Sequence, residues 1–152
     1  MSDNYIHIIP EQAGFVPEEA RQQEAVSYFR KIASKADEIM ASISANLEFI
    51  HCGENFEEIR CPSCKAVVEL KWWQQWMNKD FSKKDGFILR RRKMPCCGSR
   101  HTLHELVYDW PQGFARCDIR ALNPNLDRNF ARHQSQFEAI LGCPVRVIYG
   151  HI

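Results

Sequence analysis

No stretch of this chain approaches 18 consecutive apolar residues, so no membrane-spanning helix is expected. The opening residues Met1-Ser2-Asp3-Asn4 offer neither a basic segment nor an apolar one, and no secretory signal is expected. Net charge is nearly missing. Twenty Lys and Arg stand against 19 Asp and Glu, leaving +1, which gives no overall attraction to nucleic acid or a membrane. Internal repeats and low-complexity tracts are absent. So are a nucleophile elbow, a P-loop, a dinucleotide fingerprint and a His-Glu-x-x-His pair. Together these absences predict a cytoplasmic, non-enzymatic protein that does not enter the membrane.

What remains is ordinary in bulk and unusual in one residue type. The 152 residues are 45% apolar and 26% charged, as in one globular domain or a small domain with an insertion. Cysteine numbers seven. An extracellular disulfide framework shows an even count and a signal peptide, and neither is seen. Cys61-Pro62-Ser63-Cys64 and the adjacent Cys96-Cys97 are paired, whereas Cys52, Cys117 and Cys143 stand alone. Four metal-bound thiolates and three lone thiols in a reducing compartment account for this pattern. Cys117 and Cys143 are expected in the core, as free cysteines usually are.

Residues 5–9 read as a strand closed by Pro10. Pro17-Glu18-Glu19 opens a helix, because proline suits the first turn and acidic side chains suit its positive end. Val26, Phe29, Ile32, Ala33, Ala36, Ile39, Met40 and Ile43 continue at three- and four-residue steps, predicting one long helix. Residues 46–52 read as a second strand. Residues 66–70 and 87–92 also look like strands, with a short helix over 71–81 between them. Ala115, Cys117, Ile119 and Ala121 alternate with polar residues, the period of a half-buried strand. Leu126, Phe130, His133, Phe137 and Ile140 share one helix face, and Gly142 suits its C-terminal cap. Residues 145–149 close the chain as a strand.

Without the middle segment the order is strand, helix, strand, then strand, helix, strand. This predicts an α+β, ferredoxin-like split βαβ sandwich: a four-stranded antiparallel sheet with both helices on one face. The scaffold comprises residues 1–54 and 109–152. Residues 55–108 form an insert between strands 2 and 3. So long a connection without structure of its own is uncommon, and so small a unit buries too little apolar surface to order itself. A structural zinc ion, held in a zinc-ribbon-like module, is the expected source of order. The two-residue gap of Cys61 and Cys64 lets both thiolates reach one ion, and tetrahedral zinc requires four ligands. The second pair is expected from Cys96 and Cys97, with Gly98 allowing the tight turn that adjacent ligands need. His101 is the alternative fourth ligand and His104 a weaker one. Four thiolates would leave no open position for water, so the site reads as structural.

Cys61-Pro62-Ser63-Cys64, Trp72-Trp73, Pro95-Cys96-Cys97-Gly98, the segment from Tyr108-Asp109-Trp110-Pro111 to Arg116, and Asn123-Pro124 together resemble a group of uncharacterised bacterial proteins. The likeness spans roughly residues 45–150. It implies the four-cysteine site, since those proteins often have no histidine just after the Cys-Cys-Gly element, and it implies no activity.

Charge is divided unevenly. Residues 55–108 carry 11 Lys and Arg against 6 Asp and Glu, whereas the remainder is net acidic by −4. Arg90-Arg91-Arg92-Lys93 with Arg100 forms a basic run, and Trp72, Trp76 and Trp110 are aromatic anchors of the kind found in binding sites. Two partners fit. A protein partner comes first, one form being a toxin neutralised by a small bacterial immunity protein. Nucleic acid is the alternative, with phosphates on the arginines and bases stacked on the tryptophans. Equally, the tryptophans can form the insert's own core. His133 reads as a satisfied core histidine.

Overall fold

A computed structural model describes residues 2–126 and 130–152. Ten strands and three α-helices alternate through these residues. β1 (Asn4–Pro10) is followed by α1 (Glu19–Ile32) and then by β2 (Glu38–Ile50). The middle segment holds β3 (Ile59–Arg60), α2 (Leu70–Asp80), β4 (Phe81–Ser82), β5 (Gly86–Phe87), β6 (Arg92–Lys93) and β7 (Arg100–His101). A 3-10 turn (Leu103–Glu105) and β8 (Val107–Tyr108) complete it. β9 (Gly113–Leu122), α3 (Ala131–Leu141) and β10 (Val145–His151) end the chain. No helix among the described residues is long and apolar enough to cross a membrane.

The main sheet has six strands in the order β10-β1-β9-β2-β5-β4. Its pairings are antiparallel except for the short parallel contact of β2 with β5. Both long helices cover one face. Ala25, Val26 and Phe29 of α1 and Phe137, Ile140 and Leu141 of α3 share a core with Ile6, Ile8, Cys117, Ile119 and Val147 of the sheet. Period-two alternation in β1 and β9 aims these sheet residues at the helices. Phe29, Phe130 and Phe137 are fully buried and in mutual ring contact, each contributing about 2–3 kcal/mol by leaving water. His133 pairs through Nδ1 with the Tyr28 hydroxyl at 2.8 Å, as a satisfied core histidine does.

Several expectations need correction. The sheet expected with four strands has six, because β5 and β4 of the middle segment add to the edge of β2. The first helix stops at Ile32, with the Ala33 amide donating to Phe29 O. Residues 38–43, expected on its apolar stripe, lie in β2, and Ile43 is exposed. Ile39, Ala41 and Ile43 satisfy a period of two as well as helical steps, and pairing with β9 decides between them. The Asp37 amide donates to Leu122 O, and Asn123 Nδ2 donates to the Asp37 carboxylate, so the strand's start is pinned. Residues 66–70 make only a single bridge, Val67 to Arg60, before α2 begins. Residues 87–92 are not one strand. Leu89 takes φ +60°, and the amides of Ile88, Leu89 and Arg90 all donate to the buried Asp80 carboxylate at 2.7–3.0 Å. The strand expected here is interrupted by one carboxylate gathering three successive amides.

Ala115 leaves the helix-facing core and packs instead with Ile9, Ile50, Cys52 and Ile148. The start expected for the last helix, over residues 127–129, lies outside the described residues. Its end agrees: Gly142 takes φ +75° and donates to Glu138 O, closing the helix with a left-handed residue.

The middle segment is joined to the scaffold by packing. Ile59, Val68, Trp73, Trp76, Met94 and Leu103 share a second core with Phe114 of β9, and Phe49 of β2 packs against it. A polar clamp adds to this. His104 Nδ1 accepts from the Phe114 amide at 3.0 Å while its Nε2 donates to Glu11 O at 2.7 Å. Arg146 donates to the carbonyls of His104 and Gln112 and pairs with the Glu11 carboxylate. A side chain on Gly113 would collide with Arg146 and His104, so glycine is required where these groups converge.

Candidate metal centre

Two hairpins build the site. In the first, Cys61 N donates to Ala66 O and Lys65 N donates to Cys61 O, with Lys65 at φ +64°. In the second, Met94 N donates to Ser99 O and Gly98 N donates to Met94 O, with Gly98 at φ +77°. The bonding is the same, position for position. Cys61 therefore corresponds to Met94, Ser63 to Cys96, Cys64 to Cys97 and Lys65 to Gly98. The adjacent cysteines now have a physical explanation. The second turn keeps the knuckle backbone but carries methionine at the first ligand position, and the thiol has moved two residues on.

The Sγ atoms of Cys61, Cys64, Cys96 and Cys97 lie within 4.8 Å of one another. Cys61 and Cys97 are 3.8 Å apart. Sulfurs bound to a tetrahedral ion at about 2.3 Å stand about 3.8 Å from each other, so this set fits a metal ion such as zinc. Charge supports the fit. Burial works against ionising Cys61, but the amides of Cys64 and Ser63 and the Ser99 hydroxyl outweigh it and bring the thiol down to about 6. The Ser99 hydroxyl and amide also lower Cys97. Cys96 is pushed up to about 12 by loss of solvation and by its neighbours Cys64, Cys61 and Cys97. Four thiolates this close repel one another, and a divalent cation is what lets all of them ionise.

His101 is placed differently from the cysteines. Its Nε2 meets the Ser63 and Ser99 hydroxyls at 2.8 and 3.0 Å, and its Nδ1 faces Glu105 at 3.2 Å. Ser99 in turn touches Cys97 Sγ at 3.0 Å and Cys61 Sγ at 3.8 Å. His101 thus supports groups that touch the sulfurs. His104 is committed to the clamp on Phe114 and Glu11.

The partner-binding candidates are scattered. Trp76 is 2% exposed and cannot offer a free face, and Trp73 is 8% exposed. Trp73 stacks on Phe56 and donates to the Tyr108 hydroxyl. Trp72 lies under the Arg92 guanidinium at 4.8 Å. Arg91 pairs with Glu105 at 3.3 Å, and Arg92 and Lys93 pair in strand register with His101 and Arg100. Arg90, Arg91 and Arg92 border a cavity of about 350 Å³ together with Trp76, Lys79 and Asp80, so the structure brings Trp76 to the basic run although little of its ring is exposed. Trp110, 37% exposed, lines a separate cavity. Sequence reasoning missed Asp80 and the Met94 correspondence. Only the Pro-x-Cys-Gly remnant around Cys97 hinted at the latter.

No protein-family model, no curated protein and no solved structure matches this chain.

Proposed function

We propose that this chain is a non-enzymatic binding protein. In this reading a ferredoxin-like split βαβ scaffold carries a zinc-ordered, ribbon-like insert, and the partner is another protein. The strand order β10-β1-β9-β2, with α1 and α3 in one core, supports the scaffold reading. The carrying observation is where the insert spends its aromatic rings and where it leaves apolar surface. The tryptophans nearest the basic run are buried or covered by Arg92. In contrast, Val67 and Val107 are 56% and 40% exposed. Both are cross-strand partners of Arg60, so Val67, Arg60 and Val107 share one face beside the first knuckle. Arg60 is exposed and paired with Glu58 at 2.9 Å. This stripe of valine, arginine and valine mixes exposed apolar and charged surface, as protein contacts do. A toxin held by an immunity protein is one form of it.

The test combines metal analysis with capture. Freshly purified protein should hold one zinc per chain, and Cys61→Ser should bind it on the order of 100-fold more weakly. Capture from the native host, read by mass spectrometry, should return one protein with wild type and lose it with Val67→Asp/Val107→Asp. Equal capture by that variant would remove the stripe from the reading.

The basic cavity at Arg90–Arg92 is the observation favouring nucleic acid as the second reading. Neutralising four phosphates would give a log–log salt slope of about −3.6 on duplex DNA and about −2.8 on single strands. Replacing Arg90, Arg91, Arg92 and Lys93 by Gln should flatten it. Tight, salt-sensitive binding lost in that quadruple variant would make nucleic acid the function.

A further inference from the structure

A cavity lies away from the cysteines. It has a volume of about 560 Å³ and is walled by the start of β1, the end of β10, Asn55, Trp110 and the loop of residues 123–126. That volume lies in the range of small-molecule sites. Two sequence features with no role in the metal centre, the Trp110-Pro111 turn and the Asn123-Pro124-Asn125 turn, meet there.

The wall is unusual in its chemistry. Among the described residues lining it none is charged, and four are asparagines. The loop is held firmly. Asn123 and Asn125 both take left-handed backbone, φ +48° and +53°. The Asn123 amide donates to Asn4 O at 2.7 Å, its Oδ1 accepts from the Asn4 amide at 2.9 Å, and its Nδ2 reaches Asp3 and Asp37. Three other amides are each fixed by one end. Asn4 Oδ1 accepts from His151 at 2.8 Å, Asn55 Nδ2 donates to Tyr149 O at 3.0 Å, and Asn125 Nδ2 donates to Lys35 O at 3.4 Å. This leaves Nδ2 of Asn4 and Oδ1 of Asn55 and Asn125 in set positions. Tyr5 and Tyr149 also line the cavity, and their hydroxyls make no hydrogen bond within the described residues. The ring of Tyr5 is stacked on His7 at 5.5 Å, and that of Tyr149 meets Phe130 edge-on. Trp110 is the aromatic left with surface to offer.

We propose that this cavity binds a neutral sugar, with one pyranose ring lying on the indole of Trp110. The described residues of the wall carry no charge, which suits an uncharged ligand. Fixed amide ends and free hydroxyls, donors and acceptors mixed, match sugar hydroxyls, each of which both donates and accepts. The exposed indole of Trp110 suits the one-sided contact a pyranose makes through its C–H groups. Because the groups are already held in place, little ordering is lost on binding. This site is independent of the protein-partner reading and stands or falls apart from it.

The test uses the full, zinc-loaded chain. Methyl glycosides of glucose, galactose, mannose and N-acetylglucosamine are titrated by calorimetry and by saturation-transfer NMR, beside adenosine and uridine. At least one glycoside should bind. Trp110→Ala should weaken it about fivefold to tenfold, and Trp110→Phe should restore part of the loss. Tyr149→Phe, which removes only the hydroxyl, should weaken it by a smaller factor with the zinc content unchanged. The proposal is overturned if no glycoside binds at concentrations up to about 10 mM. Tighter binding of a nucleoside, or unchanged affinity in Trp110→Ala, overturns it equally.

Discussion

The correspondence of Met94 with Cys61 allows a rescue experiment. Structural zinc binds with about 10–16 kcal/mol at neutral pH, or about 2.5–4 kcal/mol for each of four thiolates. Cys96→Ser should therefore weaken zinc on the order of 100-fold. Met94 occupies the position that supplies the first ligand of the other knuckle, with the same two backbone hydrogen bonds around it. Met94→Cys in the Cys96→Ser background should return a thiolate to the site from the regular position. The exchange also shrinks a side chain that is 1% exposed in the second core, a packing loss of about 1–2 kcal/mol. The double variant should thus regain most of the zinc affinity while unfolding at a slightly lower urea concentration than wild type. Competition against a chromophoric chelator measures the affinity, and the thiolate-to-cobalt charge-transfer band of the Co²⁺ form counts the sulfurs. A double variant that binds zinc no better than Cys96→Ser would refute the correspondence.

Three further outcomes are expected. Asp80→Ala strips three amides of a buried acceptor and should cost about 3–4 kcal/mol in urea unfolding, with hydrogen exchange accelerated at Ile88, Leu89 and Arg90; unchanged exchange there would contradict the assigned role. Burial, with the Arg146 charge, holds His104 below the ordinary histidine value, so the unfolded chain takes up the proton first and stability falls as pH drops below about 6.5; His104→Gln should be less stable at pH 8 but lose less on acidification, and parallel pH profiles would count against this. His101→Ala should keep one zinc per chain yet bind it about 10–100-fold more weakly through the loss of Ser63 and Ser99 support, and complete loss of metal would instead make His101 a ligand.

Local chemistry carried much of this protein. Apolar spacing over Phe130, Phe137 and Ile140, the period-two run from Ala115 to Ala121 and the glycine cap at Gly142 each depend on neighbours within a turn or a strand, so they are legible in one dimension. The four cysteines were legible for the same reason: ligand type and short spacing limit what one ion can reach. What the tertiary structure decided depends on groups far apart in the chain. Residues 38–43 satisfy helix and strand periods alike, and the partner strand β9, some 80 residues away, settles the choice. Residues 87–92 read as one strand, yet three amide hydrogen bonds to the buried Asp80 carboxylate turn residues 88–90 out of line between the short strands β5 and β6. The irregular Cys96-Cys97 spacing becomes a displaced ligand on a regular turn only once the hydrogen bonds of Met94 are seen. Likewise, Trp110 and the Asn123–Asn125 turn meet in one cavity because β1, β9 and β10 lie side by side, a proximity created by strand pairing and therefore absent from any local pattern of residues.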